Sequence, residues 1–263
     1  MKGHIPRRRF GQNFLVSPGI IRKIILAIAP QRADALVEIG PGLGALTEPL
    51  LEAVDHLRVV EIDRDLIARL KVAHAPERLT IHEGDALELD FSSLGSDLRI
   101  VGNLPYNIST PLLFHLADHA AAVRDMHFML QKEVVDRMVA LPGTADYGRL
   151  SVMLQYRFEM ERLFLVPPGA FDPAPKVDSA IVRLLPRPAA QRQARDEEHL
   201  ARLVLAAFGQ RRKMLRNNLK GLAGEADLEA LAIAPTARAE EVSVANYVAL
   251  SNRLLEKSQA AAS

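Results

Sequence analysis

The chain has 263 residues, of which 49% are hydrophobic and 25% charged, the balance of a folded globular protein rather than a disordered one. It contains no cysteine, which excludes disulfides, thiolate metal sites and a cysteine nucleophile, and at this length it buries enough surface to need no such staple. With 33 Lys and Arg against 32 Asp and Glu the net charge is only +1, a total that by itself argues against a polyanion as partner.

The distribution says otherwise. Residues 1–30 carry Lys2, Arg7, Arg8, Arg9, Arg22 and Lys23 and no acid; residues 201–220 carry Arg202, Arg211, Arg212, Lys213, Arg216 and Lys220 and no acid. Two segments of +6 in a chain of +1 leave −11 on the remainder. Such asymmetry fits nucleic-acid binding, and it also fits two solvated faces. The apolar run Ile20 to Ala29 is interrupted by Arg22 and Lys23, too short to span a membrane and without a signal-peptide cleavage pattern, so a cytoplasmic protein with no membrane contact is expected.

Leu36 to Ile39 is a short buried strand, followed by the turn Gly40-Pro41-Gly42-Leu43-Gly44 and a helical pattern from Ala45 to Val54. Leu57 to Ile62 is a second strand and Asp65 to His74 a second helix. Leu79 to His82 and Leu98 to Val101 are the third and fourth strands. A helix over Pro111 to Ala122, a strand over Met126 to Leu130 and a helix over Lys132 to Leu141 follow. Strands alternating with helices predict an α/β fold with a mostly parallel sheet covered on both faces. After another helical stretch beyond Gly148 come strands over Arg162 to Val166 and Ala180 to Leu185. The connection between them holds Pro167, Pro168, Pro173 and Pro175 and suits an antiparallel pair. Pro186 to Arg195 is a linker, and from Asp196 the pattern is helical, with Ser258 to Ser263 expected to be disordered. The chain thus divides into an α/β domain over 1–185 and a small all-helical domain over 186–263.

The chemistry sits at successive strand ends. The glycine turn after the first strand lets a ligand approach the backbone at the edge where open α/β sheets bind ligands. Glu61 ends the second strand, about twenty residues on, where a carboxylate can accept both hydroxyls of a ribose. These features fit NAD as well as S-adenosylmethionine; the spacing G-x-G-x-G tilts the reading toward the latter. The third strand ends at Gly84-Asp85-Ala86. Asp85 can accept from the amine of an adenine or simply cap the next helix, and after two nucleoside contacts it becomes a third.

Asn103-Leu104-Pro105-Tyr106 ends the fourth strand. The amine of adenine is a poor nucleophile because its lone pair is delocalised into the ring. The Asn103 side-chain carbonyl and the Leu104 backbone carbonyl can accept its two N–H groups, Pro105 fixes the turn, and the Tyr106 ring can stack on the base. A sulfonium methyl donor brings its own leaving group, so orientation and electrostatics carry most of the rate and no matched general base is needed.

On these residues the sequence resembles the ribosomal RNA adenine N6,N6-dimethyltransferase family. The resemblance runs from Arg9-Phe10-Gly11-Gln12-Asn13-Phe14-Leu15 to Arg238-Ala239-Glu240 and is strong over Val37 to Thr47, Gly102 to Leu116, Met126 to Val135 and Gly169 to Val182. It is closest to bacterial members that dimethylate two adjacent adenosines near the 3′ end of 16S rRNA. It implies a Rossmann-like class I methyltransferase fold with a mostly parallel seven-stranded sheet and a helical C-terminal domain. It also implies S-adenosylmethionine as cofactor, no metal, and a monomer acting on the immature small ribosomal subunit. Asn13 and Leu15 would close over the cofactor, Gly40 would lie beside its methionine part, and Gly42 and Gly44 would shape the turn. Glu61 would hold the ribose, Asp85 with Ala86 the adenine, and Asn103 both cofactor and target amine. Phe171, in Phe171-Asp172-Pro173-Ala174-Pro175-Lys176-Val177-Asp178-Ser179, would pack on the target adenine opposite Tyr106. Arg7, Arg8 and Arg9 at the mouth of the site, and Arg211, Arg212, Lys213 and Arg216 opening a helix of the small domain, would position the RNA through its phosphates. Tyr247 and Asn246 belong to the last helix of that docking domain.

Three alternatives stand beside this. The large-subunit resistance dimethylases usually have Asn-Ile-Pro-Tyr, where this chain has Leu104. The non-enzymatic mitochondrial transcription-factor relatives share the fold, but here every catalytic position holds the expected residue. A dehydrogenase is disfavoured by the glycine spacing and by Asn-Leu-Pro-Tyr.

Overall fold

The computed structural model describes residues 13–262, so Arg7, Arg8 and Arg9 lie outside the described residues. Two compact units divide the chain: one runs to Val135 and resumes over Met160–Pro186, the other takes Asp136–Glu159 and everything from Arg187. A sequence division at 185/186 coincides with the last crossing only. The helix over 149–157, read with the α/β domain, groups with the C-terminal helices, because helical periodicity does not say which core a helix joins.

In chain order the structure begins with β1 (Phe14–Leu15), α1 (Pro18–Ile28), β2 (Ala35–Ile39), α2 (Thr47–Ala53), β3 (Leu57–Glu61), α3 (Arg64–Ala73) and β4 (Leu79–Glu83). It continues with β5 (Leu98–Asn103), α4 (Ser109–Asp118), β6 (Val123–Gln131), α5 (Lys132–Val139) and α6 (Arg149–Arg157), then β7 (Phe158–Val166), β8 (Phe171–Asp172) and β9 (Ser179–Pro186). Seven strands form one sheet in the order β4-β3-β2-β5-β6-β9-β7. The five from β4 to β6 are parallel, and β9 runs antiparallel to β6. The chain winds outward from β2 to β4 and then returns to β5 on the other side of β2. This reversal makes the carboxyl ends of β2 and β5 the topological switch point, where such sheets bind ligands.

The central strands are buried on both faces, as a covered parallel sheet requires: Leu36, Val37, Glu38 and Ile39 of β2 are each at most 2% exposed. Leu36, Leu57, Val59, Leu79, Val101 and Ile181 from the sheet join Ile24 and Ile28 of α1 and Leu50 and Leu51 of α2 in one apolar cluster. Pro18 opens α1 with its φ already helical. Asp63 caps α3 by accepting from the Asp65 N–H at 3.0 Å. At the amino ends of β5 and β6, buried Arg99 bonds Asp125 (3.0 Å), Asp34 (2.7 Å) and the Ile28 carbonyl (2.5 Å). Its charge is therefore paired and its donors used, away from the ligand edge.

The second unit is helical: α6, α7 (Glu197–Ala207), α8 (Leu215–Asn218), α9 (Glu225–Glu229) and α10 (Val244–Ala262). Tyr147, Phe208 and Tyr247 pack ring to ring in its core, and the two phenols donate to the Val242 carbonyl (3.1 Å) and the Ala239 carbonyl (2.8 Å). Buried Asp227 accepts from Lys257 (2.6 Å), Arg253 (3.0 Å) and the Gly224 N–H (3.1 Å), and the Lys257 ammonium first among these lowers its pKa. Two expectations change here. Helix α10 continues through Ser258 to Ala262 instead of ending in disorder, with the Ser258 hydroxyl on the Leu254 carbonyl (3.0 Å) and alanines of high helix propensity after it. The stretch Arg211 to Met214 precedes α8 rather than opening it, because Met214 bridges Arg238 in extended form and Leu215 N–H bonds Ala237 (2.7 Å).

Candidate active site

The turn after β2 is shaped by glycines at positive φ: Gly40 (66°), Gly42 (57°) and Gly44 (93°). Gly40 N–H bonds the Val60 carbonyl (2.9 Å), tying the turn to β3. At Gly42 two demands coincide, since a Cβ would be both strained and 3.3 Å from the Phe14 ring. Gly102 is more constrained still. Its Cβ would fall 2.5 Å from the Ile39 carbonyl oxygen and 3.1 Å from a Leu104 methyl, so β2 and β5 reach their observed approach only with glycine there. Gly102 stands in a motif of the sequence, but no local pattern shows this need, which exists only across two strands.

Two buried carboxyls stand behind the turn. Glu61, ending β3, accepts at Oε1 from the Ile62 N–H (2.9 Å) and the Asp63 N–H (2.8 Å), and Gly42 N–H adds a third bond. Burial raises its pKa against the pull of these donors. Glu38 is enclosed more completely. Burial pushes its carboxyl up to about 8, opposed by the Thr47 hydroxyl donating to Oε2 at 2.7 Å and reinforced by the charge of Glu61. Glu38 lines the cavity, and its only signal in the sequence is an acid inside an apolar strand. After β4, Asp85 Oδ1 accepts from the Leu87 N–H (2.9 Å) within a turn, and it is Asp90 that caps the next helical turn, Phe91–Leu94; Asp85 also lines the cavity.

Asn103 ends β5. Its Nδ2 donates to the Asn13 carbonyl (3.1 Å), which leaves Oδ1 as the acceptor end of the carboxamide. Leu104, 1% exposed, bonds through its N–H to the Met129 carbonyl (3.1 Å), and the Pro105 carbonyl takes the Ile108 N–H (3.2 Å) to close the turn. The Tyr106 phenol is hydrogen-bonded to the Ser179 hydroxyl at 2.8 Å, and burial raises its pKa.

The N-terminal strand is strapped across this edge. β1 pairs antiparallel with β8, Phe14 opposite Asp172 and Leu15 opposite Phe171, and Val16 N–H adds a bond to the Ala170 carbonyl (2.8 Å). Neither two-residue strand was visible in the sequence, since each exists only by pairing with the other.

Together these elements enclose a cavity of about 250 Å³. It gathers Asn13, Leu15, Gly40, Gly42, Glu61, Asp85, Ala86, Asn103, Leu104, Pro105 and Tyr106, with Phe14, Glu38, Leu43 and Ile62 added. Gly44 and Phe171 are not on its wall. Phe171 is 5% exposed and packs with Leu15 and Ile24 in the apolar cluster. In the second unit, Arg211 donates to the Ala145 carbonyl and lies 3.9 Å from Glu240, and Arg216 pairs with Glu225 at 2.8 Å, while Arg212 and Lys213 are exposed. Among the described residues no group of three His, Cys, Asp or Glu is arranged to hold a metal, and no helix is long and apolar enough to cross a membrane.

Residues 3–256 match the family model for ribosomal RNA adenine dimethylases. The chain is 68% identical over 258 residues to the ribosomal RNA small subunit methyltransferase A of Aromatoleum aromaticum, covering 98% of this chain and 97% of that one. A solved dimethyladenosine transferase from Plasmodium falciparum superposes with a TM-score of 0.81 at 27% identity, covering 93% of this chain and 98% of that one. The 23S rRNA methyltransferase ErmE gives 0.69 at 26% identity, over 92% and 99%. The strand order, the glycine-lined switch point and the near full-length match lead to one conclusion: the chain belongs to the ribosomal RNA adenine dimethylase family.

Proposed function

We propose that this enzyme transfers methyl groups from S-adenosylmethionine to the N6 amines of two adjacent adenosines near the 3′ end of 16S rRNA. It acts as a cytoplasmic monomer on the immature small ribosomal subunit, in ribosome biogenesis. The observation that carries the reading is the Asn103 carboxamide, oriented by the Asn13 carbonyl at a cavity shared with the glycine turn and Glu61. The choice of small-subunit RNA is supported by the name its relatives bear and by Leu104 in the Asn-Leu-Pro-Tyr run.

The donor set suits S-adenosylmethionine. The turn at Gly40 and Gly42 exposes backbone where a side chain would stand, which suits the methionine part. Glu61, held by backbone N–H groups, would accept ribose hydroxyls, and Asp85, on the same cavity, would accept from the adenine amine. Leu43 and Ile62, 37% and 46% exposed on this cavity, offer apolar cover, and Asn13 and Leu15 close it from the strap. When bound, the cofactor supplies a methyl on a sulfonium with a neutral thioether as leaving group.

The chain supplies geometry. Asn103 Oδ1 and the Leu104 carbonyl accept the two N–H groups of the target amine, drawing its nitrogen toward the pyramidal form in which its lone pair can attack. Tyr106 stacks on the base. The amine becomes acidic as the new bond forms, so its proton leaves without a strong base. Phe171 reaches a base only by leaving its packing under β1; in the arrangement described it seats Leu15 and so the strap. Arg7, Arg8 and Arg9, and the C-terminal unit through Arg212 and Lys213, hold the RNA by its phosphates, with Arg211 and Arg216 shaping that surface.

Mass spectrometry of rRNA from small and large subunits incubated with the enzyme and S-adenosylmethionine tests this directly. Dimethyladenosine should accumulate at two adjacent positions of 16S rRNA alone. Asn103→Ala should keep measurable cofactor binding and lose at least 100-fold in rate, given what one well-placed acceptor is worth. Methylation of 23S rRNA, or full activity of the variant, would overturn the reading.

A further inference from the structure

We infer that Ser179 is a positioning residue for methyl transfer: its hydroxyl holds the Tyr106 phenol and thereby fixes where the ring on which the target adenine stacks is held. The inference rests on the reading of Tyr106 as the stacking platform.

Tyr106 leaves the sheet in the loop after β5, whereas Ser179 opens β9, two strands away across β6. The 2.8 Å hydrogen bond between their hydroxyls spans 73 residues of sequence. Ser179 does not line the cavity, so it can touch neither base nor cofactor from its observed place and acts only through its partner. It is also well anchored. It stands opposite Gln131 in the β6–β9 register, and the Lys132 N–H bonds the Asp178 carbonyl at 2.9 Å beside it. The phenol is therefore tied to the sheet rather than to a loop.

A tyrosine held only by its backbone swings about its Cα–Cβ bond, carrying the ring face with it. Here the Tyr106 carbonyl accepts from the Ser109 hydroxyl (3.1 Å) at one end and the phenol is tied at the other, so the ring does not swing about that bond. Ser179 has no exposed surface, so it holds the phenol from inside the fold. A stacking platform helps the reaction only when it presents the amine along the line of attack, and displacement of about 1 Å can cost on the order of 100-fold in rate. The same bond joins the Asn-Leu-Pro-Tyr turn to the end of the Phe171–Ser179 run, so the two segments read as handling the base share one support.

A double-mutant cycle tests this with the full-length enzyme on unmethylated small subunits, measuring kcat, cofactor affinity by calorimetry and Tm. Ser179→Ala and Tyr106→Phe should each lower kcat about 10- to 100-fold and leave cofactor affinity within twofold. The double variant should be no slower than Tyr106→Phe alone. If Ser179→Ala melts early, Ser179→Cys keeps the volume with a weaker donor and carries the same comparison. Multiplying losses in the double variant, or an unchanged kcat for Ser179→Ala, would overturn the inference. If Tyr106→Ala abolishes activity while Tyr106→Phe and Ser179→Ala do not, the platform stands and only the tether fails. If Tyr106→Ala retains full activity, the platform fails with it.

Discussion

At the floor of the cavity Glu38 and Glu61 stand close enough for the charge of one to raise the pKa of the other. The consequence for Glu38 is a stability that depends on pH. Its carboxyl is held up to about 8 in the folded state by burial, against an ordinary 4.5. Between those values the folded chain keeps the proton and the unfolded chain releases it, so stability falls as pH rises from about 4.5 through about 8. Glu38→Gln cannot ionise and keeps an acceptor for Thr47. Its Tm should match that of the parent near pH 5 and exceed it increasingly toward pH 9, by an amount on the order of a few kcal/mol in stability. Melting curves across that range check it, and parallel curves would show that Glu38 is charged in place. The residue was legible as an acid in the motif; its protonation was not, because burial on both faces of β2 depends on the helices that cover the sheet.

Among elements, the approach of β2 to β5 decides where Asn103 stands. Gly102→Ala would put a methyl 2.5 Å from the Ile39 carbonyl, which only separation of the two strands relieves. Overpacking of this kind costs about 1–3 kcal/mol, and the shift is passed to the adjacent Asn103 and to the turn beyond Ile39. We expect Tm to drop by several degrees and cofactor affinity to weaken together in calorimetry. A loss of Tm with unchanged affinity would separate the packing from the site. The strands themselves were readable in outline, because parallel strands covered on both faces are continuous apolar runs. The β1–β8 strap was not, because two residues carry no period and their pairing joins segments more than 150 positions apart.

For the molecule as a whole the net charge of +1 is a sum that cancels, and the structure sorts the basic residues by what they already hold. Arg211 and Arg216 are engaged within the C-terminal unit, by the Ala145 carbonyl and by Glu225, whereas Arg212 and Lys213 are exposed. Reversing Arg212 and Lys213 to Glu should weaken binding to the small ribosomal subunit with Tm unchanged. The slope of log affinity against log salt should flatten by about 1.4–1.8, the effect of two lost phosphate contacts. Arg211→Glu should lower Tm as well, since its guanidinium clasps a neighbouring loop. Binding titrations at several salt concentrations check both, and an unchanged slope would remove these residues from the RNA contact.

What the amino-acid order determined by itself is the ligand edge. A parallel sheet brings successive strand ends to one side, so Gly40, Glu61, Asp85 and Asn103 could be placed together from local runs alone. The tertiary structure decided what supports that edge: the tether of Tyr106 to Ser179, the glycine demanded at 102, Phe171 turned into the core, and residues 136–159 grouped with the C-terminal helices. Each of these is a contact between segments distant in sequence. Periodicity records which face of an element is buried, but not against which partner.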